Sequence, residues 1–473
     1  MKARCPSSGV WDYSFDPIAA AALPELATRL RASQPAWQSQ GVEGRIPVLR
    51  RFAEQLQHRR DAIEAALVAD TGRHPLSTIE TDGLFQKIER DSAKAAALLE
   101  SRRQQRETIE PFTAEPVLTP YPLVGVISPW NFPVSLSFLD TFQALLMGCA
   151  VIVKPSEVTP RFVEPVAEAI SATAGLCEVF AFVRGGPEVG QALVHTVDYI
   201  CFTGSVATGR KVFAEAGEAF IPASMELGGK DPAIVLDDAD IERAAASVML
   251  GATLASGQIC TSLERVYVHR SVHDPFVAAL KRYAGRCKLS CDDPDGVLVP
   301  FIHAPQAEVF KAHVADATAH GADLICGGDV VERGGLWPTA TVLTNVTHQM
   351  RVMREESFAP ILPVMAFDTD AQAIALANDS RYGLSAVIYG RDTSRARRIG
   401  RRITCGATSL NMSRAHIRLR RFEQQPFGAS GIGASRVGDS GFLRFCRQGA
   451  LIRGEQDDVA AVERAQLDAA FGS

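Results

Sequence analysis

The sequence lacks the features that mark secreted, membrane-spanning or nucleic-acid-binding proteins. No apolar run reaches the ~20 residues that a membrane span needs, and the N-terminal stretch MKARCPSSGVWDYSFDP has no apolar signal core. The ten cysteines follow no regular spacing, which fits a reducing compartment. A net charge of −5 is small for 473 residues and does not favour nucleic acid or an acidic membrane as a partner. We therefore expect a cytoplasmic protein that binds neither.

Length and composition indicate an ordinary globular protein of several domains. A chain of 473 residues is too long for one hydrophobic core, and 47% hydrophobic with 22% charged residues is typical of globular proteins. Cys287 and Cys291 have the spacing of metal ligands, but no second Cys or His pair lies near them in the sequence. We therefore predict no metal site.

The hydrophobic pattern predicts two lobes that each contain buried parallel strands. The first hundred residues have helical periodicity, and residues 105–126 become extended and rich in proline. From Gly125 onward, short Val/Ile-rich runs bounded by Gly or Pro alternate with helical stretches, and a second such series begins near residue 250. This alternation is typical of βαβ units, so the fold class is α/β.

Two strand ends in the first lobe have residues suited to a dinucleotide. Lys154 follows a buried run at the carboxyl end of its strand, where open α/β sheets bind ligands. Glu157 can accept hydrogen bonds from a ribose diol, and its charge would repel a 2′-phosphate. A further strand ends at Phe202, and Gly204-Ser205 then opens a helix whose N-terminus can hold a pyrophosphate. The alternative for both places is an ordinary solvated turn.

Three other residues are candidates for covalent chemistry. In SPWNFP, two prolines and two aromatics fix the backbone around Asn131, which suits a donor to an oxyanion. Glu226 lies between Met225 and Leu227, where a raised pKa would suit a general base. Cys260 follows a Gly-Gln pair and precedes a predicted strand. Each residue alone has a structural alternative: a capped turn, an exposed strand end or a packed thiol.

Taken together and in this order, the motifs resemble those of the aldehyde dehydrogenase superfamily from about residue 20 to 455. The motifs are SPWNFP, KPSE, FTGSVATG, MELGGKDP, GQICTSLERVYV, EESFAP, YGLSA and PFGASGIG. The C-terminal part looks most like the branch that acts on aromatic and fatty aldehydes. Some members of that branch have an apolar membrane anchor, whereas the tail here is polar, so we expect a soluble form.

The resemblance implies a role for each candidate. Cys260 is then the nucleophile and Glu226 the general base, and Asn131 with the Cys260 backbone N–H holds the oxyanion. The residues expected to bind NAD, with NADP as the alternative, are Ile127, Pro129, Trp130, Lys154, Ser156, Glu157, Gly186, Phe202, Gly204, Ser205, Leu227, Gly228, Glu356 and Phe358. Two departures from the family pattern are Ala255, where Asn is common, and Ala359, where Gly is common.

The resemblance also places a substrate tunnel beside Asn131. Its expected lining residues are Phe132, Ser135, Leu136, Leu139, Arg414 and Phe427. The helix residues among them favour a hydrophobic or aromatic aldehyde, unless they only pack the helix on the sheet. The basic stretch SRAHIRLRRFEQQ, residues 413–425, suggests that one arginine pairs with an acidic substrate group. A solvated or subunit-interface loop is the alternative.

By the same resemblance, the fold is a Rossmann-type cofactor domain, an α/β catalytic domain and a small β arm for oligomerisation. We expect the cofactor domain to take residues 1–107 and 126–227, and the catalytic domain 228–435. The arm takes 108–125 and 436–473, and its exposed strand edges predict a homodimer, with a tetramer as the alternative. The alternative functions are a coenzyme A-acylating dehydrogenase, a reductase of activated acids, a thioesterase and a non-catalytic protein that keeps the fold.

Overall fold

The computed structural model describes residues 1–110, 112–454 and 456–472, and it has both α-helices and β-strands throughout. The helices are α1 (Leu23–Ser39), α2 (Gly41–Gln57), α3 (Arg60–Thr71), α4 (His74–Arg103), α5 (Pro133–Met147), α6 (Val163–Ser171), α7 (Pro187–Val194), α8 (Val206–Glu218), α9 (Ile241–Thr253), α10 (His273–Ala284), α11 (Gln306–Ala319), α12 (Arg351–Arg354), α13 (Asp370–Asn378), α14 (Thr393–Gly400), α15 (Ser440–Leu443) and α16 (Gln456–Phe471). Within the described residues, none of these helices is long and apolar enough to cross a bilayer.

The strands form three main sheets and several two-stranded pairs. They are β1 (Lys2–Ala3), β2 (Tyr13–Ser14), β3 (Glu107–Ile109), β4 (Phe112–Pro120), β5 (Leu123–Ile127), β6 (Ala150–Lys154), β7 (Phe180–Phe182), β8 (Tyr199–Thr203), β9 (Ala223–Glu226), β10 (Asp231–Val235), β11 (Leu263–His269), β12 (Asp323–Cys326), β13 (Val330–Arg333), β14 (Gly335–Pro338), β15 (Thr341–Thr344), β16 (Ile361–Phe367), β17 (Tyr382–Gly383), β18 (Ser385–Tyr389), β19 (Ala407–Leu410), β20 (Phe427–Gly428), β21 (Gly431–Ile432) and β22 (Cys446–Gly454).

The first sheet has the strand order β21-β9-β8-β5-β6-β7, and all its strands except β21 run parallel. Its central strands β5 and β6 are buried at every residue, as expected for Val- and Ile-rich strands covered on both faces. In register, Ile127 lies beside Lys154 on one side and Phe202 on the other, and Thr203 lies beside Glu226. The carboxyl ends of four strands therefore meet at one edge.

The second sheet has the order β12-β15-β16-β11-β10-β18-β19. Its strands are parallel except β12, which pairs antiparallel with β15 at the edge. Asp231 at the start of β10 pairs with Leu263 at the start of β11, so these amino ends share an edge. The link from β9 to β10 is only residues 227–230, and this short link brings that edge against the carboxyl edge of the first sheet.

The third sheet has the order β22-β4-β3 and is hydrogen-bonded to neither of the other two. Strand β22 pairs with β4 along nine residues, from Cys446 opposite Pro120 to Gly454 opposite Phe112. Its apolar side chains are largely exposed; Leu451 and Ile452 are the clearest cases.

The predicted alternation of strands and helices matches the observed elements, with three differences. The helical periodicity of the first hundred residues is divided among four helices, α1 to α4, and α3 ends at Thr71, before Gly72 in the left-handed conformation. The strand expected to end at Phe202 continues to Thr203. Two edge strands, β12 and β21, are antiparallel, because the pattern within a strand does not encode the direction of its neighbour. The division into domains stays a prediction.

Candidate active site

A cavity of about 680 Å³ lies where the two sheet edges face each other. Strands β5, β6, β8 and β9 end at this cavity, and the segments that enter β10, β11 and β16 close it from the other side. The volume is within the range of small-molecule and cofactor sites. The cavity is therefore the place to test the predicted residues.

The segment before Cys260 has an unusual backbone. Ala255, Ser256 and Gly257 all have positive φ, between 52° and 71°. Non-glycine residues rarely adopt this region, so the turn depends on surrounding contacts. The Ser256 hydroxyl supplies one contact by donating to Val299 O and accepting from Val299 N. The family commonly has Asn at this position, and Asn tolerates a positive φ better than the Ala255 of this chain does.

Gln258 fixes the next part of this loop. Its amide nitrogen donates to Ala255 O and Pro300 O, and its amide oxygen accepts from Ile302 N. Its backbone carbonyl accepts from Asn131 Nδ2 at 2.9 Å. Since an amide NH₂ has two donors, this bond leaves one Asn131 hydrogen for a ligand.

The other oxyanion donor predicted from the sequence is the Cys260 backbone N–H. Among the described residues it donates to no backbone or side-chain acceptor. The Asn131 amide and this N–H therefore form a pair of donors next to the sulfur. Such a pair suits an oxygen that gains negative charge.

A buried carboxylate caps the helix that follows Asn131. Glu80 Oε1 accepts from the backbone N–H groups of Val134 and Ser135, which are the first free donors of α5. Glu80 is itself paired with Arg73 at 3.1 Å, with both side chains buried. Sequence reasoning missed Glu80 and Arg73, because their pairing with α5 is a tertiary contact over more than 50 residues.

The environment of Cys260 favours the neutral thiol. Burial raises the pKa of Cys260 to about 12, and the nearby charges of Glu226, Glu356 and Asp231 raise it further. The sequence left two routes to the thiolate: a site that lowers the thiol pKa, or transfer of the proton to Glu226. These surrounding residues do not lower the pKa, so a proton acceptor or a bound cation is needed.

Glu226 is the last residue of β9 and is surrounded by protein, although its side chain stays partly accessible. Burial raises the pKa of Glu226 above its usual value, as the sequence predicted for a base, and the charge of Arg436 opposes this rise. The segment that follows Glu226 passes close to the backbone of the nucleophile: a Cβ at Gly229 would lie 2.4 Å from Cys260 O. Only glycine fits at that position.

Glu356 borders the cavity from the opposite side. Its Oε1 accepts from Gly229 N at 3.0 Å, and a Cβ on Gly228 would lie 2.1 Å from its Oε2. Burial raises the pKa of Glu356 to about 8. The two glycines therefore allow a carboxylate to lie against the backbone that follows Glu226.

A buried ion pair supports the Glu356 segment. Glu264 accepts from the backbone N–H groups of Ser357 and Phe358 at 2.6 and 2.8 Å, and from Lys230 Nζ at 2.6 Å. Phe358 has a positive φ of 48°, and its ring packs edge-on against Trp130 at 5.4 Å. Glu264 and Lys230 occur within the quoted motifs, but their pattern did not show this supporting role.

The far end of the cavity fits a dinucleotide. Lys154 and Glu157 form an ion pair of 3.0 Å, and Glu157 stays partly exposed to the cavity. Ser205 caps α8 through Thr208 N, so the N-terminus of this helix opens onto the cavity beside Gly204. A Cβ on Gly204 would lie 2.6 Å from the Phe202 ring, so a side chain at this position would clash with the ring. Glycine therefore keeps the backbone accessible from the cavity. These groups match a ribose and a pyrophosphate.

Most residues expected at the cofactor line this one cavity. Thirteen of the fourteen do so, together with Cys260 and Asn131; Gly186 does not, because it precedes α7 and donates its N–H to Glu188 Oε1. Glu226 lies just behind the lining residue Leu227. Lining residues that the sequence did not indicate include His303, Gln306, Thr208, Lys211, Gln191 and Glu215. They come from helix faces and a loop, and only Thr208 lies within one of the quoted motifs.

The expected substrate residues are placed less uniformly. Phe132, Ser135, Leu136 and Leu139 are partly accessible, whereas the α5 residues between them are buried, so they form one open helix face. Only Leu136 lines the described cavity. Phe132 packs beside Ile259, next to the nucleophile, and lies under the Arg73 guanidinium.

Arg414 and Phe427 also lie outside that cavity. Arg414 has a positive φ of 56° and forms no salt bridge within the described residues, and burial lowers its pKa. Ser413, beside it, contacts Ser247 on α9, the helix that leads to Cys260. Phe427 is 48% exposed on β20. The structure thus places Ser413, the neighbour of Arg414, against α9 and leaves Phe427 at the surface.

The pKa of Cys260 gives a direct test of this environment. In the protein without a dinucleotide, alkylation of Cys260 by iodoacetamide should rise about tenfold per pH unit through pH 10, because only the scarce thiolate reacts. A free thiol levels off near its pKa of about 8.5. Peptide mass spectrometry measures the rate at this site, with N-acetylcysteine as reference. A plateau for Cys260 below pH 9 would contradict the protonated thiol.

Comparisons with known proteins identify the family of this chain. The model of the aldehyde dehydrogenase family matches residues 2–449. A succinate-semialdehyde dehydrogenase [NADP(+)], named as putative, from Mycolicibacterium smegmatis is 33% identical over 426 residues, 88% of this chain and 81% of that protein.

Two solved structures share the whole fold. The putative aldehyde dehydrogenase PutA of Anabaena variabilis has a TM-score of 0.92 and 43% identity, covering 96% of this chain and 97% of its own. The betaine aldehyde dehydrogenase of Staphylococcus aureus in complex with NAD+ has a TM-score of 0.90 and 26% identity, covering 96% and 92%. With its motifs, cavity and full-length match, this chain belongs to the aldehyde dehydrogenase family.

Proposed function

We propose that this protein oxidises an aldehyde to the carboxylic acid with NAD, or with NADP as the alternative, through a covalent intermediate on Cys260. The observation that supports the proposal is the cavity between the two sheet edges. Asn131, which follows β5, and Cys260, which precedes β11, both line it, and Glu226 at the end of β9 lies just behind the lining residue Leu227. A fold kept without catalysis would not need all three.

The first step is addition of the Cys260 sulfur to the aldehyde carbonyl. The thiol loses its proton, with Glu226 as the acceptor, and a C–S bond forms as the carbonyl π bond becomes an oxyanion. The remaining Asn131 hydrogen and the Cys260 N–H stabilise that oxyanion. Removing one such donor typically costs 10²–10³ in kcat.

The cavity beside the sulfur fits the dinucleotide that the reaction requires. When bound, an oxidised nicotinamide dinucleotide supplies the acceptor for the hydride lost from the former aldehyde carbon. Lys154 and Glu157 would hold the adenosine ribose, Ser205 with the α8 N-terminus the pyrophosphate, and Glu356 the second ribose. The Trp130 and Phe358 rings form an apolar wall that excludes water.

Once two electrons and the hydrogen have left, Cys260 carries the acyl group as a thioester. Glu226, after releasing the thiol proton to solvent, takes a proton from water as the water oxygen bonds to the acyl carbon; the C–S bond then breaks, and the departing sulfur takes this proton from Glu226. The products are the carboxylic acid and the Cys260 thiol. Glu226 thus favours water over coenzyme A as acceptor, and coenzyme A-dependent turnover would identify the acylating alternative.

For the substrate, the open face of α5 supports a hydrophobic or aromatic aldehyde. Phe132 and Leu136 with Leu139 supply an apolar surface along this face, about 10 Å long at 1.5 Å per residue. The related proteins named above act, by their names, on succinate semialdehyde and betaine aldehyde. Family membership therefore leaves the aldehyde open, and the proposal rests on the α5 face.

We further propose that the chain forms a homodimer through the third sheet, with a tetramer as the alternative. Leu451 and Ile452 on β22 and Ile109 on β3 expose large apolar surfaces, which fit a partner subunit. This agrees with the proposed division into cofactor domain, catalytic domain and arm. Light scattering should give twice the chain mass of 50.9 kDa for the dimer or four times for the tetramer, and a monomer would overturn the proposal.

The ten free cysteines support a cytoplasmic location.

Glu226→Gln separates the two halves of the reaction. The variant should still reduce about one equivalent of dinucleotide per site, more slowly than wild type because Glu226 also accepts the thiol proton, and the acyl group should then stay on Cys260. Its steady-state kcat should fall at least about 10²-fold, the usual contribution of a general base. Stopped-flow absorbance measures both phases, and intact mass spectrometry detects the trapped acyl group. Full steady-state activity would contradict the assigned base.

Glu157→Gln tests the choice of dinucleotide. Removing this negative charge from the ribose site should raise the ratio of kcat/KM for NADP to that for NAD about tenfold, since the 2′-phosphate is no longer repelled. Glu164→Gln, on helix α6 outside the lining of the cavity, is the matched control. An unchanged ratio would show that Glu157 does not set the preference.

Arg414→Ala tests the arginine hypothesis. If the Arg414 guanidinium pairs with a carboxylate on the substrate, KM should rise about tenfold for 4-carboxybenzaldehyde and stay unchanged for benzaldehyde. Arg421→Ala on the same loop serves as control. Equal effects on the two aldehydes would favour the solvated or interface loop.

A further inference from the structure

Behind Glu226, away from the dinucleotide, lies a buried cluster of three charges. Asp140 on α5 is fully buried, and Arg436 and Arg444 are 3% and 8% exposed. Arg444 Nη2 lies 2.5 Å from Asp140 Oδ1, and Arg436 Nη2 lies 3.2 Å from Asp140 Oδ2. Neither the proposed chemistry nor the dinucleotide cavity uses these residues.

Backbone register places this cluster next to the general base. Arg436 donates from Nη1 to Thr203 Oγ1 and from Nη2 to Phe202 O at the end of β8. Thr203 is the strand partner of Glu226 on the neighbouring strand β9. On the other side of β9, Gly431 pairs with Glu226, five residues before Arg436. The Arg436 side chain thus reaches the strand ends that present Glu226.

The cluster contains one more positive charge than negative charges. Two guanidinium groups face a single carboxylate, and Arg436 Nε is buried without a hydrogen-bond partner. The neighbouring Cys201 is neutral, because burial raises its pKa to about 12. Lys87, which also acts on Asp140, is already paired with Asp91. An ionised Glu226 carboxylate would balance the remaining positive charge.

We infer that Arg436 is a positioning residue that keeps Glu226 ionised for thioester hydrolysis, while Asp140 limits this effect by neutralising part of the same positive charge. The inference rests on the proposed role of Glu226 as general base. The other groups that act on Glu226 are Arg444, which strengthens the effect, and Cys260, which is neutral as thiol or thioester.

The electrostatic contributions have the signs that this arrangement requires. Burial raises the pKa of Glu226; the positive charges of Arg436 and Arg444 lower it, and the negative charge of Asp140 raises it. Without these positive charges, burial would shift the Glu226 carboxyl group further toward its neutral form, which cannot accept a proton from water. The buried arginine therefore allows a desolvated, strongly basic carboxylate to remain in its working state.

Two neutral substitutions should shift the pH profile of deacylation in opposite directions. Arg436→Gln removes a positive charge, so the acidic limb should move about one pH unit upward. Asp140→Asn removes a negative charge, so the limb should move downward. Arg436→Lys keeps the charge and should restore the wild-type limb. General damage to the fold would lower the deacylation rates of both variants without shifting their pH profiles in opposite directions.

The measurement uses 4-nitrophenyl acetate, an activated ester that acylates thiols without a dinucleotide. Rapid-quench mass spectrometry follows loss of the acetyl group from Cys260 between pH 5 and 9. Arg45→Gln is the matched control, because Arg45 is a buried arginine that binds only backbone carbonyls, those of Leu146, Trp37 and Gln38. Its pH limb should stay unchanged even if the protein is less stable.

The outcomes separate the two proposals. If Glu226→Gln deacylates at the wild-type rate, the base assignment itself fails. Suppose that Glu226→Gln deacylates slowly, but the acidic limbs of the deacylation pH profiles of Arg436→Gln and Asp140→Asn coincide with that of wild type. The inference about Arg436 is then overturned, and the proposed function stands. Opposite shifts, restored by Arg436→Lys, support it.

Discussion

The hydrogen bond from Asn131 Nδ2 to Gln258 O joins two lobes at the reacting sulfur. Its partners are 127 residues apart, one following β5 of the first sheet and the other preceding β11 of the second. The bond fixes one hydrogen of the amide and so orients the other. It also helps to hold a loop of consecutive positive-φ residues that would be unfavourable alone. The geometry of the nucleophile therefore depends on both lobes together.

Buried carboxylates recur around this joint and serve different purposes. Glu80 caps α5 behind Asn131, and Glu264 holds the backbone of the Phe358 segment; both are paired with a buried cation. Glu226 and Glu356 lie nearer the cavity, and burial raises the pKa of both. The first pair gives rigidity, whereas the second provides groups that can exchange protons.

Much of the fold was accessible from the sequence, because buried parallel strands form continuous apolar runs and the motifs at their ends have fixed spacing. Lys154, Glu157 and Cys260 meet at one cavity as the order of motifs indicated. The supporting residues were not predictable, because Glu80 and Arg436 act across more than 50 residues in sequence and such tertiary contacts leave no local pattern. Gly186 was expected at the cofactor, but it donates its N–H to Glu188 Oε1 and does not line the cavity.

The central claim is that Cys260 carries the reaction within this two-lobe site. The most direct test measures initial rates of dinucleotide reduction with aliphatic, aromatic and carboxylate-bearing aldehydes, using NAD and NADP. Wild type is compared with Cys260→Ala and with Cys149→Ala, a buried thiol away from the cavity. The account predicts reduction by wild type and Cys149→Ala and none by Cys260→Ala. Undiminished reduction by Cys260→Ala, or none by wild type with any aldehyde despite measurable NAD binding, would contradict it.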